Sequence, residues 1–269
     1  MRAKFVDLHN DAVGVLSPRR FLKYIRRAAR AGVGVMLASV WTSEMREPLS
    51  EIRRAVETLE KARGVGVELF LHIEDAWFVD EDNIGELLEL KPFSVGLTWN
   101  ADNALAGGAN GSGGLTELGR AVIEKLVDGH VVIDLAHLNR QSFYQVAEVV
   151  VARGGQIFCS HACFDEVNPH PRNLDRAQIQ TIVEAGGVVG LTLVGEFLTS
   201  KKRAGREDVY RHIKYFLDNF GEGGLCVGTD FFGTTNLPKG LRRYRDFKRF
   251  RRFLRRRGIE SGKDGTAKP

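Results

Sequence analysis

Residues Val131–His137 read VVIDLAH, an apolar and β-branched run that stops on a histidine. A strand buried on both faces reads as such a continuous run, and it has no internal use for an ionisable last residue. Working outward, the pattern recurs in Gln156–His161 (QIFCSH), Val67–Glu74 (VELFLHIE), Lys4–His9 (KFVDLH) and Leu225–Asp230 (LCVGTD). Asp11 follows His9 at a spacing of two. Strands that all point one way in a closed barrel deliver their last residues to one mouth, where such side chains can share a metal.

Periodicity fills in the rest. Strands are expected at Lys4–His9, Val33–Val40, Val67–Glu74, Ser94–Trp99, Val131–His137, Gln156–His161, Gly187–Val194 and Leu225–Phe231. Helices are expected near Pro18–Ala31, Pro48–Ala62, Glu81–Leu90, Leu115–Asp128, Arg140–Arg153, Asp175–Ala185, Arg206–Phe220 and Leu241–Arg257. Ser17-Pro18 opens the first helix as a cap with proline at the first helical position, and Thr116 is a candidate cap. Eight such units in about 250 residues is the length of a closed (β/α)8 TIM barrel. An open doubly wound sheet would gather ligands at one crevice. Here the polar strand ends come from strands one, three, five, six and eight, which only a closed ring brings together. The expected organisation is one α/β barrel domain over 1–258 and a polar, disordered tail over 259–269.

The chain has 269 residues and is 43% apolar, enough for a full core. No apolar run approaches the roughly 18 residues of a membrane span. The start, MRAKFVDLHND, enters a strand at once, so no signal peptide and a cytoplasmic location are expected. Cys159, Cys163 and Cys226 make an odd count without a CxxC pair, which argues against a disulfide framework. Cys159 and Cys226 read as small apolar fillers.

The net charge is +5, unevenly spread. Lys239–Arg257 holds eleven Lys or Arg and one acid, Asp246, so the remainder of the chain is net acidic. In that segment Leu241, Tyr244, Phe247, Phe250 and Leu254 recur at helical spacing. They are expected to pack on the barrel and leave the arginines solvated. Neither a membrane nor a nucleic acid is expected as a partner; pairing with the acidic remainder of a second subunit would give a homodimer.

The site reads residue by residue. His9 and Asp11 can reach one ion, since alternate residues of an extended chain point the same way. Glu74 has two oxygens and can bridge two cations. His137 and His161 end strands five and six. These five nitrogen and oxygen ligands favour Zn²⁺, with Mn²⁺, Co²⁺ or Fe²⁺ as substitutes. They exceed the three protein ligands of a mononuclear catalytic site, which points to two metals. Asp230 is placed to carry a proton. Asp7 and Asp134 fall short of their strand ends and are assigned to hydrogen bonds within the barrel. His72, two before Glu74, is a candidate support behind the ligands.

Together the stretches DLHND, HIED, GLTWNADNALAGGA, GLTELGRAVIEKL, VIDLAH, IFCSHA, HPRNLDRAQIQTIVEAGGVVGLTL and VGTDFFG resemble the membrane (renal) dipeptidase family, the M19 metallopeptidases. The resemblance runs in order over Phe5–Gly240. It implies a (β/α)8 barrel of the metal-dependent hydrolase type, two zinc ions, and hydrolysis of dipeptides, with β-lactams or D-residue dipeptides taken by some members. By motif, His9, Asp11 and bridging Glu74 would hold one metal, and Glu74, His137 and His161 the other. Asp230 would carry the proton and Arg172 would meet the substrate carboxylate. Trp99 and Asn100 would face the substrate. Three departures stand out: Trp99 replaces a histidine found in many members, no GGN-type segment follows the last helix, and the loop Trp41–Glu47 is brief. They leave open hydrolysis of another small amide, ester or lactam, or a non-catalytic metal scaffold whose basic helix contacts nucleic acid.

Overall fold

The computed structural model describes residues 5–259. Eight parallel strands close in sequence order: β1 Phe5–Asn10, β2 Val33–Trp41, β3 Glu68–Glu74, β4 Ser94–Gly96, β5 Val132–Asp134, β6 Ile157–Ala162, β7 Val189–Thr192 and β8 Leu225–Gly228. β1 pairs with β8 through Asp7 opposite Val227, which closes the ring. The helices are α1 Ala12–Val15, α2 Pro18–Ala31, α3 Pro48–Lys61, α4 Ile84–Glu89, α5 Glu117–Asp128, α6 Arg140–Ala152, α7 Arg176–Glu184, α8 Gly195–Leu198, α9 Arg206–Phe220 and α10 Phe247–Arg255. The (β/α)8 expectation holds. The two short helices α1 and α8, at the mouth, had no periodic signal.

Strands four, five, seven and eight are shorter than their apolar runs suggested. His137 and Asp230 have φ of 67° and 54°, and a left-handed residue leaves the ladder. The last helix is also shorter, because a 3-10 turn at Tyr244–Asp246 precedes α10. The barrel continues to Ile259, which is buried and whose N–H bonds Leu254 O. Ile259 is the first residue of the tail expected over 259–269; Lys4 and the rest of that tail, 260–269, lie outside the described residues.

Two apolar layers hold the barrel. Val6, Leu8, Leu37, Phe158 and Cys226 fill its interior, and a larger cluster joins strands to helices. α2 shows why such helices form: Pro18 presets the first turn, Phe21, Ile25 and Ala28 turn inward, and Gly32 at φ 100° ends the helix. Ser17 makes no side-chain cap there, whereas Thr116 accepts from Gly119 N at 2.9 Å as expected. The glycine-rich loop before α5 wraps one carboxylate. Asp102 accepts from Gly108, Ser112 and Gly113 N–H, and a Cβ at Gly111 would lie 1.6 Å from its Oδ1.

His212 of α9 locks the outer layer. Its Nδ1 accepts from Phe164 N at 3.2 Å and its Nε2 donates to Leu198 O at 3.1 Å. Burial pushes its pKa from 6.5 down to about 4. Between those values the unfolded chain binds the extra proton, so stability falls as pH drops from 6.5 to 4. The expected loss from this residue is roughly 3 kcal/mol. Denaturant titrations across that range measure it, and His212→Gln should flatten the slope; an unchanged slope would clear His212 as the cause.

Candidate metal centre

The carboxyl ends of the strands converge as the sequence suggested. His9 Nε2 lies 3.4 Å from Asp11 Oδ2 and 3.7 Å from Glu74 Oε2. Glu74 Oε1 lies 2.8 Å from His137 Nε2 and 3.6 Å from His161 Nε2. The two imidazole nitrogens are 2.9 Å apart. Ligands on one tetrahedral ion with bonds near 2.0 Å are separated by about 3.3 Å, so these spacings suit coordination. All five residues are buried. β1 ends at Asn10, so Asp11 reaches His9 from the first turn of α1 rather than by strand alternation.

The donor set fits cations on its own chemistry. His137 Nδ1 is engaged by Asn100 Oδ1 at 2.9 Å, and His161 Nδ1 by Ser160 Oγ at 2.8 Å. With Nδ1–H donated to the Asn100 oxygen, His137 Nε2 is left with a lone pair, and it faces a carboxylate oxygen. Asp11 Oδ2 is buried without a hydrogen-bond partner. Such unpaired acceptors are costly unless a positive charge sits among them.

Electrostatics agrees. Burial pushes Glu74 up to about 7, opposed by His9. Burial lowers His9, but the Asp11 and Glu74 carboxylates outweigh it and raise the imidazole to about 10. Burial, with Arg172 and His9 nearby, holds His137 and His161 well below the ordinary imidazole value, as neutral ligands require.

Asp230 comes closer than expected. It groups with His9 and Asp11, with ligand atoms all within 4.8 Å, so it borders the ligand set instead of standing outside it. Burial and the Asp11 carboxylate raise its pKa well above the usual range. Gly233 makes room for it: a Cβ there would lie 2.0 Å from Asp230 Oδ1 and 2.7 Å from Asp11 Oδ2.

Arg172 is buried, its guanidinium 3.0 Å from His161 Nε2 and 5.5 Å from the Phe197 ring, and its Nε has no partner. Trp99 is 40% exposed and packs edge-on against Trp41 at 5.3 Å. Asn100 lines the same cavity, yet its side chain is used to orient His137, a role the sequence did not suggest. Ser160 carried no signal either, since its contact with His161 follows from a register irregularity within β6 rather than from a motif. His72 is set behind the ligands as expected: Nε2 lies 3.3 Å from Asp134 Oδ2, and its ring meets His9 edge-on. Asp7 and Asp134 make internal hydrogen bonds, to Thr229 and to Ser160 and Ala136. All three cysteines are free and buried. The centre opens into a cavity of about 670 Å³ walled by Trp41, Met45, Trp99, Phe197 and Phe232.

A closed (β/α)8 barrel with imidazoles and carboxylates gathered at its carboxyl mouth has the build of an enzyme of this fold. The chain belongs to the membrane dipeptidase family, peptidase family M19, whose model matches residues 34–263. It is 31% identical over 188 residues to a Klebsiella pneumoniae protein encoded in the pqqA 5′ region. That match covers 63% of this chain and 66% of the relative, just under two thirds of its length. Among solved structures, the chain is similar to dipeptidase AC, a metallopeptidase of family M19, with TM-score 0.84 and 20% identity over 100% of this chain and 96% of that one. It is also similar to a Rhodobacter sphaeroides metallopeptidase bound to a phosphinate mimic of L-Ala-D-Ala, with TM-score 0.80 and 18% identity over 100% and 97%. At these identities the structures establish the fold.

Proposed function

We propose that the protein is a binuclear-metal hydrolase that cleaves the amide bond of a dipeptide or a similar small molecule. One observation carries this reading: the two oxygens of Glu74 face different donors, Oε2 toward His9 beside Asp11 and Oε1 toward His137 and His161, although His161 also lies near His9. Family membership and the dipeptide mimic held by the Rhodobacter sphaeroides relative support the substrate class.

His9, Asp11 and Glu74 would hold one divalent cation, and Glu74, His137 and His161 the second; Zn²⁺ suits these ligands, as do Mn²⁺, Co²⁺ and Fe²⁺. Bound there, the pair would polarise the scissile carbonyl and make water a nucleophile near neutral pH. The chain's own residues supply the rest. Arg172, with a free Nε and a guanidinium that donates to the His161 carbonyl and rests over the Phe197 ring, orients the substrate carboxylate. Asp230, set beside His9 and Asp11, takes a proton on its carboxylate and passes it to the leaving amine. Trp99 and Trp41 form an aromatic wall of the cavity beside His137.

Elemental analysis beside a panel of L,L- and L,D-dipeptides, N-acyl amino acids and lactones tests this. The expected result is about two ions per chain and dipeptide cleavage that chelation abolishes and metal restores. Fewer than one ion per chain, or metal-replete protein that leaves every dipeptide intact, would sink it. Faster turnover of lactones or N-acyl amino acids would move the substrate class and leave the centre standing.

A further inference from the structure

The basic segment near the C-terminus has a neighbour. α2 carries Arg19, Arg20, Lys23, Arg26, Arg27 and Arg30, no acidic residue, and all six are exposed. Its apolar residues Phe21, Ile25 and Ala28 are spent on the core. β1 and β8 are adjacent in the closed ring, so the segments that follow them lie side by side. Tyr24 of α2 meets Tyr244 at 5.6 Å between rings, and Asn10 Nδ2 donates to both hydroxyls. Six positive charges from α2 and a net ten from Lys239–Arg257 therefore share one side of a chain whose total is only +5. Arg257 pairs with Glu207 at the far edge. Among the described residues, none of the six on α2 and none of Lys248, Arg249, Arg255 or Arg256 forms an ion pair. Unneutralised charge of one sign on this scale repels itself and attracts a polyanion.

We propose that the α2–α10 face docks on a bilayer surface rich in anionic phosphate headgroups. The residues favour this occupant over a nucleic acid. A single strand is held by a groove and by aromatic platforms for its bases. The helices of a closed barrel make a convex outer ring without such a groove. Tyr244, Phe247 and Phe250 are buried, and Phe253 is taken up by Phe250, Arg206 and Arg257. What remains outside is guanidinium and ammonium, which suits a plane of phosphates. At the mouth end of α2 two apolar side chains stay exposed: Val15, and Phe232, whose ring rests on Tyr24 at 5.0 Å. Both can dip into the headgroup layer. Docking this way needs no membrane span, and no helix among the described residues is long and apolar enough to make one.

Vesicle co-sedimentation tests the proposal. Phosphatidylcholine vesicles with about one lipid in three replaced by phosphatidylglycerol should carry the protein down, and pure phosphatidylcholine should not. Salt near 0.5 M should release it. Arg20→Glu with Arg27→Glu, and separately Arg249→Glu with Arg252→Glu and Arg256→Glu, should each lower partitioning about tenfold or more. Melting temperature and turnover should stay unchanged, because these side chains lie outside the catalytic mouth. If a reversal variant fails to fold, its glutamine counterpart should show the same loss in weaker form. No binding to anionic vesicles at low salt would overturn the proposal. So would binding that survives both sets of changes, or an RNA oligonucleotide held more tightly than the vesicles through the same arginines.

Discussion

Glu74→Gln is expected to strip the centre of metal and to lower kcat/KM by at least about a thousandfold. Glutamine keeps the size and one oxygen, but its second arm is an NH2, which donates and cannot ligate. In the structure each oxygen of Glu74 has its own task, Oε2 toward His9 and Oε1 toward His137 and His161. Whichever way the amide turns, one donor group loses its anion and gains a proton donor beside a ring nitrogen. The substitution therefore acts on both ions. His137→Ala, which touches one donor group, should deplete one ion and spare part of the other. Elemental analysis of both variants, with kinetics at saturating metal, reads the difference. A Glu74→Gln protein that keeps two ions and wild-type turnover would remove the bridging assignment.

Asp230→Asn should leave metal content close to wild type and cut kcat by roughly two to four orders of magnitude. Asparagine tolerates the left-handed backbone that Asp230 adopts at φ 54°, and it keeps an oxygen toward His9 and Asp11. It cannot take up and release a proton, so chemistry suffers while folding does not. Gly233→Ala reaches the same carboxylate from outside, because its methyl would press on Asp230 Oδ1 and Asp11 Oδ2. That change should lower both turnover and affinity for the ion beside Asp11. Full activity in Asp230→Asn would end the proton-carrier reading. Loss of metal in it would instead make Asp230 a ligand, in keeping with its closeness to His9 and Asp11.

The barrel and the gathering of its strand-end side chains were legible because apolar runs ending in His, Glu or Asp state both where a strand stops and what it delivers. His9, Glu74 and His161 stand within or at the ends of their strands. His137 and Asp230 lie beyond the hydrogen-bonded ladder, since composition does not encode a positive φ. The supports were harder to read. Asn100 holds a ring nitrogen from a loop that carries no periodicity, and Ser160 does so at a register irregularity inside β6. α1 and α8 have four residues each, too few for a helical pattern. The charge of α2 was invisible in a count taken run by run, because its partner segment lies more than two hundred residues away and only ring closure makes them neighbours.

The ring divides its labour. The candidate metal-holding residues come from strands one, three and six, from just past strands one and five and, in Asp230, from after strand eight, while Trp41 ends strand two and Trp99 and Phe197 enter the cavity after strands four and seven. Asn100 and Phe197 aside, since they hold His137 and Arg172, the diet of such an enzyme can drift by exchanging the two tryptophans, one at a time, with the engine untouched. Libraries randomised at Trp41 and Trp99 should accordingly yield new selectivities far more often than dead protein.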